Sequence, residues 1–559
     1  MATGTAGVGL APSGTAPAEV LHKPLNLLQR RPPLQRWLAP LATPSPQQAG
    51  QRLWPALLGW LLAAALLGAA QTWAYVHTAW WPLPLLTMAL LIVALNAASP
   101  ARAAALGWAY GVGWLAAGVW WLFISMHRYG GLPAPLAAAA VLLLSAVLSL
   151  YVAAAAAAYA RWRRGGAVDV LLWAALWLLA EWCRGVLFTG FPWVALGYSQ
   201  LDGPLAALAP WLGVYGMGAA AAAMAAASAC VLGEPRSWPV WVLLGALFVA
   251  LAAAPAVRFT RPAGELSVTL LQTNVKQDEK FIIQHLPRTL AWVAQQLRAS
   301  TADLVLSPET AVPLLPYQLQ DVAAGFWPAL EQHFAVPGRA ALVGVPLGDA
   351  QQGYTNSVVG MSAGAPYRYD KSHLVPFGEF IPTGFRWFTE LMNIPLGDFA
   401  RGVANPPSMP VKGQRVAPNI CYEDLFGEEL ARRFRDPATA PTVMANISNI
   451  GWFGDTVAVT QHLNISRLRT LEFQLPMVRA TNTGATAVID HQAQVLAALR
   501  PHTAGVLNAQ VQGRSGVTPF AWWAARWGLW PLVGAAGLVV VVIAAAAGRA
   551  RQRAVAPHP

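Results

Sequence analysis

The stretch Val416-Ala-Pro-Asn-Ile-Cys421-Tyr-Glu-Asp-Leu-Phe-Gly-Glu-Glu-Leu430 joins an apolar run to an acid-rich segment through a cysteine. The apolar run predicts a buried β-strand, and the acidic residues after it are typical of the first turn of a helix. A cysteine at such a turn faces backbone N–H groups and the positive end of a helix dipole. Both favour a thiolate and could hold an oxyanion. On its own, however, a lone cysteine is more often a small buried apolar residue.

Short β-rich runs surround this stretch and alternate with amphipathic segments across residues 262–514. The runs are Leu266–Leu271, Leu304–Leu306, Ala341–Val345, Ser357–Met361, Val416–Ile420, Thr442–Ile447 and Thr486–Ile489. Between them lie helical patterns such as Leu286–Arg298 and Glu428–Phe434. This alternation predicts an α/β domain in which helices cover a sheet.

Two more segments of this region contain residues whose side chains could take part in catalysis. Asp303-Leu-Val-Leu-Ser-Pro-Glu309 places a carboxylate just past a buried strand, in a turn that Pro308 begins. Glu309 could act as a general base, or it could be an ordinary turn carboxylate. The loop that follows Tyr369 contains Lys371 and Glu379 among prolines and glycines. Lys371 could offer a fixed positive charge to an oxyanion, or it could be a solvated loop charge.

The composition of the whole chain is that of a membrane protein. It is 56% hydrophobic, 11% charged and contains 26 tryptophans, whereas a soluble domain is nearer to about 25% charged. Apolar segments long enough to span a bilayer as helices occur at Trp54–Val76, Trp81–Ala98, Ala104–Ser125, Pro135–Ala160, Val168–Cys183, Leu205–Leu232, Trp238–Val257 and Trp527–Ala547. The sequence therefore predicts about eight transmembrane helices, seven before the α/β region and one after it.

The net charge of +12 does not indicate a nucleic-acid partner. Residues 262–514 hold 19 Lys and Arg against 20 Asp and Glu, which leaves 18 basic and 5 acidic residues for the rest of the chain. These basic residues flank the apolar segments, as topology determinants do. Thirteen of them fall on one side of the predicted membrane and five on the other. The positive-inside rule then puts both termini in the cytoplasm and the α/β domain outside.

The domain organisation that follows has four parts. Residues 1–50, rich in Pro, Ala and Gln, are expected to be a disordered cytoplasmic leader. A seven-helix transmembrane domain is predicted over 51–260, an extracytoplasmic catalytic domain over 261–515, and a final transmembrane helix with a cytoplasmic tail over 520–559. Three scattered cysteines, without CxxC or metal-ligand spacing, predict neither a disulfide framework nor a metal site.

Taken together, these features resemble the nitrilase (carbon–nitrogen hydrolase) superfamily, whose site consists of a Glu, a Lys and a Cys in that chain order. The closer resemblance is to its apolipoprotein N-acyltransferase branch. The motifs that carry it are K-x-H-L-V-P-F-G-E from Lys371, C-Y-E from Cys421, Tyr354-Thr-Asn356-Ser, Ser448-Asn-Ile-Gly-Trp452-Phe-Gly-Asp455, Gln461-His462 with Arg467, Arg469 and Glu472, and Arg479-Ala-Thr-Asn482-Thr-Gly484.

The resemblance implies an inserted α/β nitrilase-like αββα sandwich and a catalytic set of Glu309, Lys371 and Cys421. It implies transfer of an acyl chain from a phospholipid, through a cysteine thioester, to the α-amino group of a diacylglyceryl-cysteine on an apolipoprotein. No cofactor is implied, and the implied location is the bacterial cytoplasmic (inner) membrane. The residues expected to support or line the site are Glu379, Tyr422, Glu423, Phe281, Asn356 and Trp452.

The sequence departs from the family pattern at two places. Phe281 stands where the family commonly has Trp, and Ile450-Gly451 replaces an Asp-Ala pair, so the acid that the family has at this point of the loop is missing. Two other functions are compatible with parts of the sequence. A membrane-anchored amidase would use the same catalytic set with water as acceptor, although eight spans would serve it no purpose. A transporter with an outer binding domain would need polar or broken helices in repeated halves, which the sequence does not display.

Overall fold

The computed structural model describes residues 53–233, 237–253, 257–349, 351, 353–382, 384 and 398–555. The leader predicted over residues 1–50 lies outside the described residues. The first part of the chain is helical, and the second part contains two β-sheets.

The helical part consists of apolar helices, with longer connections at residues 71–81 and 187–208. The helices are α1 (Leu53–Ala70), α2 (Pro82–Ala97), α3 (Pro100–Gly118), α4 (Leu122–Tyr129), α5 (Ala134–Leu148), α6 (Leu150–Trp162), α7 (Gly166–Val186), α8 (Ala209–Gly233) and α9 (Trp238–Ala253). Prolines occupy the first turn of α2, α3 and α5, where the missing N–H costs no hydrogen bond.

Within the described residues, six helical segments are long and apolar enough to cross a membrane, or seven if the bent pair α3 and α4 forms one span. Helices α5 and α6 together form one of the six, and the last helix of the chain forms another. Helix α9 is apolar but shorter. These elements match the predicted order of seven apolar segments before the sheets and one after them.

The segment predicted as one continuous helix over Ala104–Ser125 is broken. Helices α3 and α4 meet at an angle of 62°. The carbonyl oxygen of Gly118, at the break, accepts hydrogen bonds from Gln461 Nε2 at 3.0 Å and from Trp121 Nε1 at 3.2 Å. Side chains that take over a helical carbonyl in this way are a recognised cause of kinks. The break therefore depends on a residue more than 300 positions away.

Within the described residues, the sheet-containing part has twelve strands in two six-stranded sheets. The strands are β1 (Thr260–Gln272), β2 (Leu304–Leu306), β3 (Ala340–Asp349), β4 (Gly353–Ser362), β5 (Tyr367–Asp370), β6 (Met409–Val411), β7 (Gln414–Ile420), β8 (Val443–Ser448), β9 (Met477–Thr481), β10 (Ala487–Ile489), β11 (Val495–Ala498) and β12 (Gly505–Gly516). Their order is β12-β1-β2-β3-β4-β5 in one sheet and β11-β10-β9-β8-β7-β6 in the other. Parallel pairs at the centre of each sheet (β1–β2–β3 and β7–β8–β9) bring strand ends to one edge.

The two sheets pack face to face through alternate residues of their strands. Leu304 and Leu306 of β2 point into this inner core, whereas Val305 belongs to a separate cluster on the outer face. This alternation is the expected consequence of the two-residue period of a strand. The outer cluster is covered by the helices α10 (Leu286–Ala299) and α12 (Phe326–Phe334); a short helix α11 (Leu319–Val322) lies between them in the chain.

Helices on the far side of the second sheet complete the sandwich and join it to the membrane helices. After the single turn α13 (Gly427–Leu430), they are α14 (Ala458–Phe473) and α15 (Pro519–Trp527). Helices α14 and α15 both contact α8 of the membrane part. The chain then ends in α16 (Trp530–Val555). The predicted fold class, a polytopic helical membrane protein with an inserted αββα sandwich, is confirmed.

Candidate active site

Cys421 is the first residue after β7 and has a left-handed backbone, with φ of 51°. A non-glycine residue in this region is strained, and such residues cluster at functional sites. Its side chain is partly exposed. Burial and the nearby carboxylate of Glu309 raise the pKa of the Cys421 thiol to about 12, although Lys371 and Ser448 act in the opposite direction. The resting sulfur is therefore a protonated thiol that needs a base.

The backbone carbonyl of Cys421 is held from the second sheet and from α14. Asn446 Nδ2 lies 3.4 Å from this oxygen, and His462 Nε2 lies 3.1 Å from it. An Arg479 nitrogen lies 3.1 Å from His462 Nδ1. Since arginine only donates, Nδ1 accepts and Nε2 carries the hydrogen that His462 donates to Cys421. Burial and Arg479 hold the pKa of His462 well below its ordinary value, so the ring is neutral.

Glu309 lies in the turn after β2, and its carboxylate is surrounded by donors. Its Oε1 accepts a hydrogen bond from Asn356 Nδ2 at 2.7 Å and lies 3.6 Å from Lys371 Nζ. Its Oε2 accepts from the backbone N–H of Asn449 at 2.7 Å. These contacts fix the carboxylate in one orientation beside the turn of Cys421.

Lys371 is almost completely buried and is held by a second carboxylate. Both oxygens of Glu379 contact Nζ, at 2.9 and 2.8 Å. Asn356 donates to Glu379 at 2.7 Å as well as to Glu309, so this amide joins the two acids. Burial alone would lower the pKa of Lys371, but Glu379 and Glu309 outweigh it and raise that pKa above its ordinary value. Lys371 is thus a permanent cation between two carboxylates.

Glu423 connects the turn of Cys421 to the loop of Lys371. Its carboxylate accepts a hydrogen bond from the backbone N–H of Ile420, the residue before Cys421. It also accepts from the segment around Lys371, namely from Tyr369 OH, from Ser372 N and Oγ, and from His373 N. The side chain therefore ties the two segments together rather than standing free in the site.

Of the remaining predicted lining residues, Tyr422 and Trp452 contact the helical part of the chain. Tyr422 donates a hydrogen bond from its hydroxyl to Gly190 O at 3.0 Å, in the connection between α7 and α8. Trp452 packs edge-on against Tyr129 of α4, with ring centroids 5.8 Å apart. Phe281 lies in the loop after β1 with 40% of its surface exposed.

Two residues of this site were missed from the sequence. Lys280 has only 5% of its surface exposed and donates to the backbone carbonyl of Glu309 at 3.0 Å. Asn449 places its N–H on Glu309, and its side chain joins Gln277 and Asn482. Lys280 lies next to Phe281, and Asn449 lies in the Ser448–Asp455 motif, so both were close to residues that had been singled out. No local pattern distinguishes a buried loop lysine from a solvated one.

The arrangement suits covalent acyl chemistry. It combines a strained cysteine with a carboxylate that can take its proton and a buried ammonium that can stabilise an oxyanion.

Comparison with known proteins shows the family of this chain. Residues 67–227 match the family model for the apolipoprotein N-acyltransferase N-terminal domain, and residues 267–519 match the model for carbon-nitrogen hydrolase. The apolipoprotein N-acyltransferase of Verminephrobacter eiseniae is 53% identical over 506 residues, which cover 84% of this chain and 93% of that protein. The chain belongs to the apolipoprotein N-acyltransferase family.

A second relative agrees with this membership. The apolipoprotein N-acyltransferase of Ralstonia nicotianae is 47% identical over 501 residues, covering 87% of this chain and 93% of that protein. A solved carbon-nitrogen hydrolase from Helicobacter pylori G27 is similar over 49% of this chain and 95% of its own, with 16% identity and a TM-score of 0.33. Family membership makes this protein an acyltransferase. The amidase and transporter alternatives are not favoured.

Proposed function

We propose that this protein transfers an acyl chain from a membrane phospholipid to the α-amino group of a diacylglyceryl-cysteine at the N-terminus of an apolipoprotein. The observation that supports it most directly is the buried cluster of Glu309, Lys371 and Glu379 beside Cys421, in a chain of the apolipoprotein N-acyltransferase family. The phospholipid donor and the diacylated acceptor then use one site in turn.

In the first half-reaction, Glu309 takes the proton of the Cys421 thiol, and Sγ attacks the carbonyl carbon of a phospholipid ester. Lys371 stabilises the negative charge that develops on the carbonyl oxygen. When the C–O bond breaks, Glu309 returns its proton to the departing oxygen and a lysophospholipid leaves. Because the thiol has a high pKa, attack requires removal of the proton at the moment of reaction.

In the second half-reaction, the α-amino group of the acceptor attacks the thioester carbon, and the C–S bond breaks. The proton lost by the amine passes to Glu309 and from it to the sulfur, which restores the resting thiol. A covalent intermediate divides one difficult transfer into two lower barriers. Glu379 orients Lys371 in both steps, and Glu423 keeps the Lys371 loop in register with the nucleophile.

We propose the cytoplasmic (inner) membrane as the location, with residues 261–515 as a catalytic domain on the periplasmic side. Residues 51–260 and the helix after residue 520 form the membrane domain, and both termini are cytoplasmic. The asymmetry of thirteen against five basic residues supports this orientation. A cysteine introduced at Gln351 should react with a membrane-impermeant maleimide in intact spheroplasts. Labelling only after permeabilisation would reverse the orientation.

The function is tested by mass spectrometry of the purified protein incubated with a phospholipid. We expect the mass of one acyl chain on the peptide containing Cys421, and its loss when a diacylated lipopeptide with a free N-terminal amine is added. The acyl group should appear on that amine. Rapid discharge to water, with no transfer to the lipopeptide, would favour the amidase instead.

A further inference from the structure

Lys280 has an environment that is unusual for a lysine in a loop. It lies between β1 and α10, and its neighbours Phe281, Ile282 and Ile283 are 40%, 39% and 69% exposed. Lys280 itself is only 5% exposed. Lysines are almost never buried without a partner, because removing an ammonium from water is costly. A lysine that is buried while its apolar neighbours are exposed must have favourable contacts around its ammonium group.

The buried end of Lys280 meets the turn that presents Glu309. Nζ donates to the carbonyl oxygen of Glu309 at 3.0 Å. The next residue, Thr310, has a left-handed backbone with φ of 51°, which only a well-supported turn tolerates. On the opposite side, a Cβ added to Gly344 of β3 would come within 2.3 Å of Pro308 O. The turn is thus packed tightly against β3 and is anchored from the other side by Lys280.

Lys280 also balances the charge of the buried cluster. The carboxylates of Glu309 and Glu379 and the ammonium groups of Lys371 and Lys280 make the resting cluster neutral when Cys421 is a thiol. Lys371 is neutralised by close contact with Glu379 and Glu309. Among the described residues, no carboxylate oxygen lies within ion-pair distance of Lys280 Nζ. Its charge is consequently the less compensated of the two.

The electrostatic surroundings agree with this assignment. Burial lowers the pKa of Lys280 to about 8, while the charges of Glu309 and Cys421 oppose that shift. Lys280 is therefore mostly protonated at neutral pH, as the charge balance of the cluster requires.

We propose that Lys280 is a positioning residue for the acylation step: its ammonium holds the Glu309 turn in place and keeps the buried cluster of charges neutral. The inference deepens the proposed function and rests on it, since it assigns Lys280 to the first half-reaction. In that step the proton moves from Sγ to the Glu309 carboxylate, as above, and Lys280 remains protonated throughout.

Three variants of the full-length enzyme separate the two effects. Lys280→Met removes both the hydrogen bond and the charge, whereas Lys280→Gln keeps a donor for Glu309 and removes the charge. Lys276→Met is the matched control, because Lys276 lies in the same loop, has a 69% exposed side chain and pairs with Glu279 at 3.2 Å. The rate of alkylation of Cys421 by iodoacetamide is followed against pH by peptide mass spectrometry, alongside thioester formation with phospholipid and thermal unfolding.

We expect both Lys280 variants to be alkylated about tenfold more slowly than the unsubstituted enzyme below about pH 8, where Lys280 carries its charge, and at a similar rate above that pH. Thioester formation should fall about tenfold in Lys280→Gln and further in Lys280→Met. Lys276→Met should match the unsubstituted enzyme. Alkylation needs no lipid, so absence of a thioester in the unsubstituted enzyme would refute the proposed function and leave the effect on the thiolate measurable.

The result that overturns the proposal is a folded Lys280→Gln enzyme with an unchanged alkylation curve and an unchanged rate of thioester formation. If Lys280→Met fails to fold, Lys280→Gln carries the test. An alkylation curve shifted equally by Lys276→Met would also overturn it, because the effect would then come from the net charge of the loop and not from the buried ammonium.

Discussion

Two buried groups of charged residues, one in the membrane helices and one between the sheets, are built in different ways. In the membrane part, Glu181 and Arg184 lie one turn apart on α7, 3.8 Å from each other. Arg184 donates to the carbonyls of Phe191 and Trp193, and Glu181 accepts from the N–H of Leu196. All of these contacts go to the backbone of one connection, residues 187–196. In the site, by contrast, Lys371 contacts the side chains of both Glu309 and Glu379, and the Asn356 amide joins the two carboxylates.

The difference suggests two roles: the Glu181–Arg184 pair supports a segment of the fold, whereas the cluster near Cys421 takes part in the reaction. Backbone contacts hold a segment in place, and the segment held by the Glu181–Arg184 pair is one of those that contact the sheet-containing part. Gly190 accepts from Tyr422, and Thr189 O lies 3.2 Å from His373 Nε2. The side-chain cluster instead places charged groups near the sulfur of Cys421. We therefore expect substitutions in the cluster to change the reaction, and substitutions in the pair mainly to change stability.

The largest effect should come from Cys421→Ser. A hydroxyl is a far poorer nucleophile at neutral pH, and Glu309 is a weak base for it, so transfer should be abolished or nearly so. Thermal unfolding should change little, since the two side chains are similar in size. Transfer of a labelled acyl chain to a lipopeptide measures the loss. A folded Ser variant with near-normal activity would remove Cys421 from the mechanism.

The next largest effects should come from Glu309→Gln and Lys371→Met. Glu309→Gln keeps the shape but removes the base, and Lys371→Met removes an oxyanion contact that is typically worth about 100- to 1000-fold in rate. Both should fail at thioester formation with phospholipid in excess. Rapid sampling of the acyl-enzyme separates this step from amine transfer. If Glu309→Gln formed the thioester at the normal rate and stalled only at transfer, Glu309 would not be the base of the first step.

Arg184→Met should instead destabilise the protein. It leaves the buried Glu181 carboxylate without its cation, a change that costs about 3 kcal/mol in other proteins. The unfolding temperature in detergent should fall, and thioester formation should fall far less than in Glu309→Gln. The double variant Glu181→Gln with Arg184→Met should regain part of the lost stability, because no unpaired charge remains. An inactive but fully stable Arg184→Met enzyme would mean that Arg184 contacts the substrate. The Glu181–Arg184 pair would then not be a purely structural group.

The sequence predicts this site better than it predicts the connections between its two halves. Glu309 and Cys421 each follow a short apolar strand, and Lys371 lies in a Pro- and Gly-punctuated loop, so local pattern and family resemblance suffice to find them. The break after Gly118 depends on Gln461, and the burial of Lys280 depends on the Glu309 turn. The residues next to Gly118 or Lys280 in the sequence do not predict either feature. Contacts between distant parts of the chain become visible only in the folded structure.

The smallest effect should come from Tyr422→Phe, which tests the link between the supporting connection and the nucleophile turn. The substitution removes one hydroxyl that donates to Gly190 O at 3.0 Å, and an intramolecular hydrogen bond contributes about 1 kcal/mol to stability. The ring still packs against His373 and Phe426, which keeps the turn in place. Thioester formation should therefore stay within about threefold of the unsubstituted enzyme, a change of under 1.4 kcal/mol. Tyr369→Phe is the matched comparison, since its hydroxyl donates to the Glu423 carboxylate and should cost more. A loss of activity in Tyr422→Phe as large as that in Lys371→Met, without loss of stability, would mean that this hydroxyl serves the reaction itself.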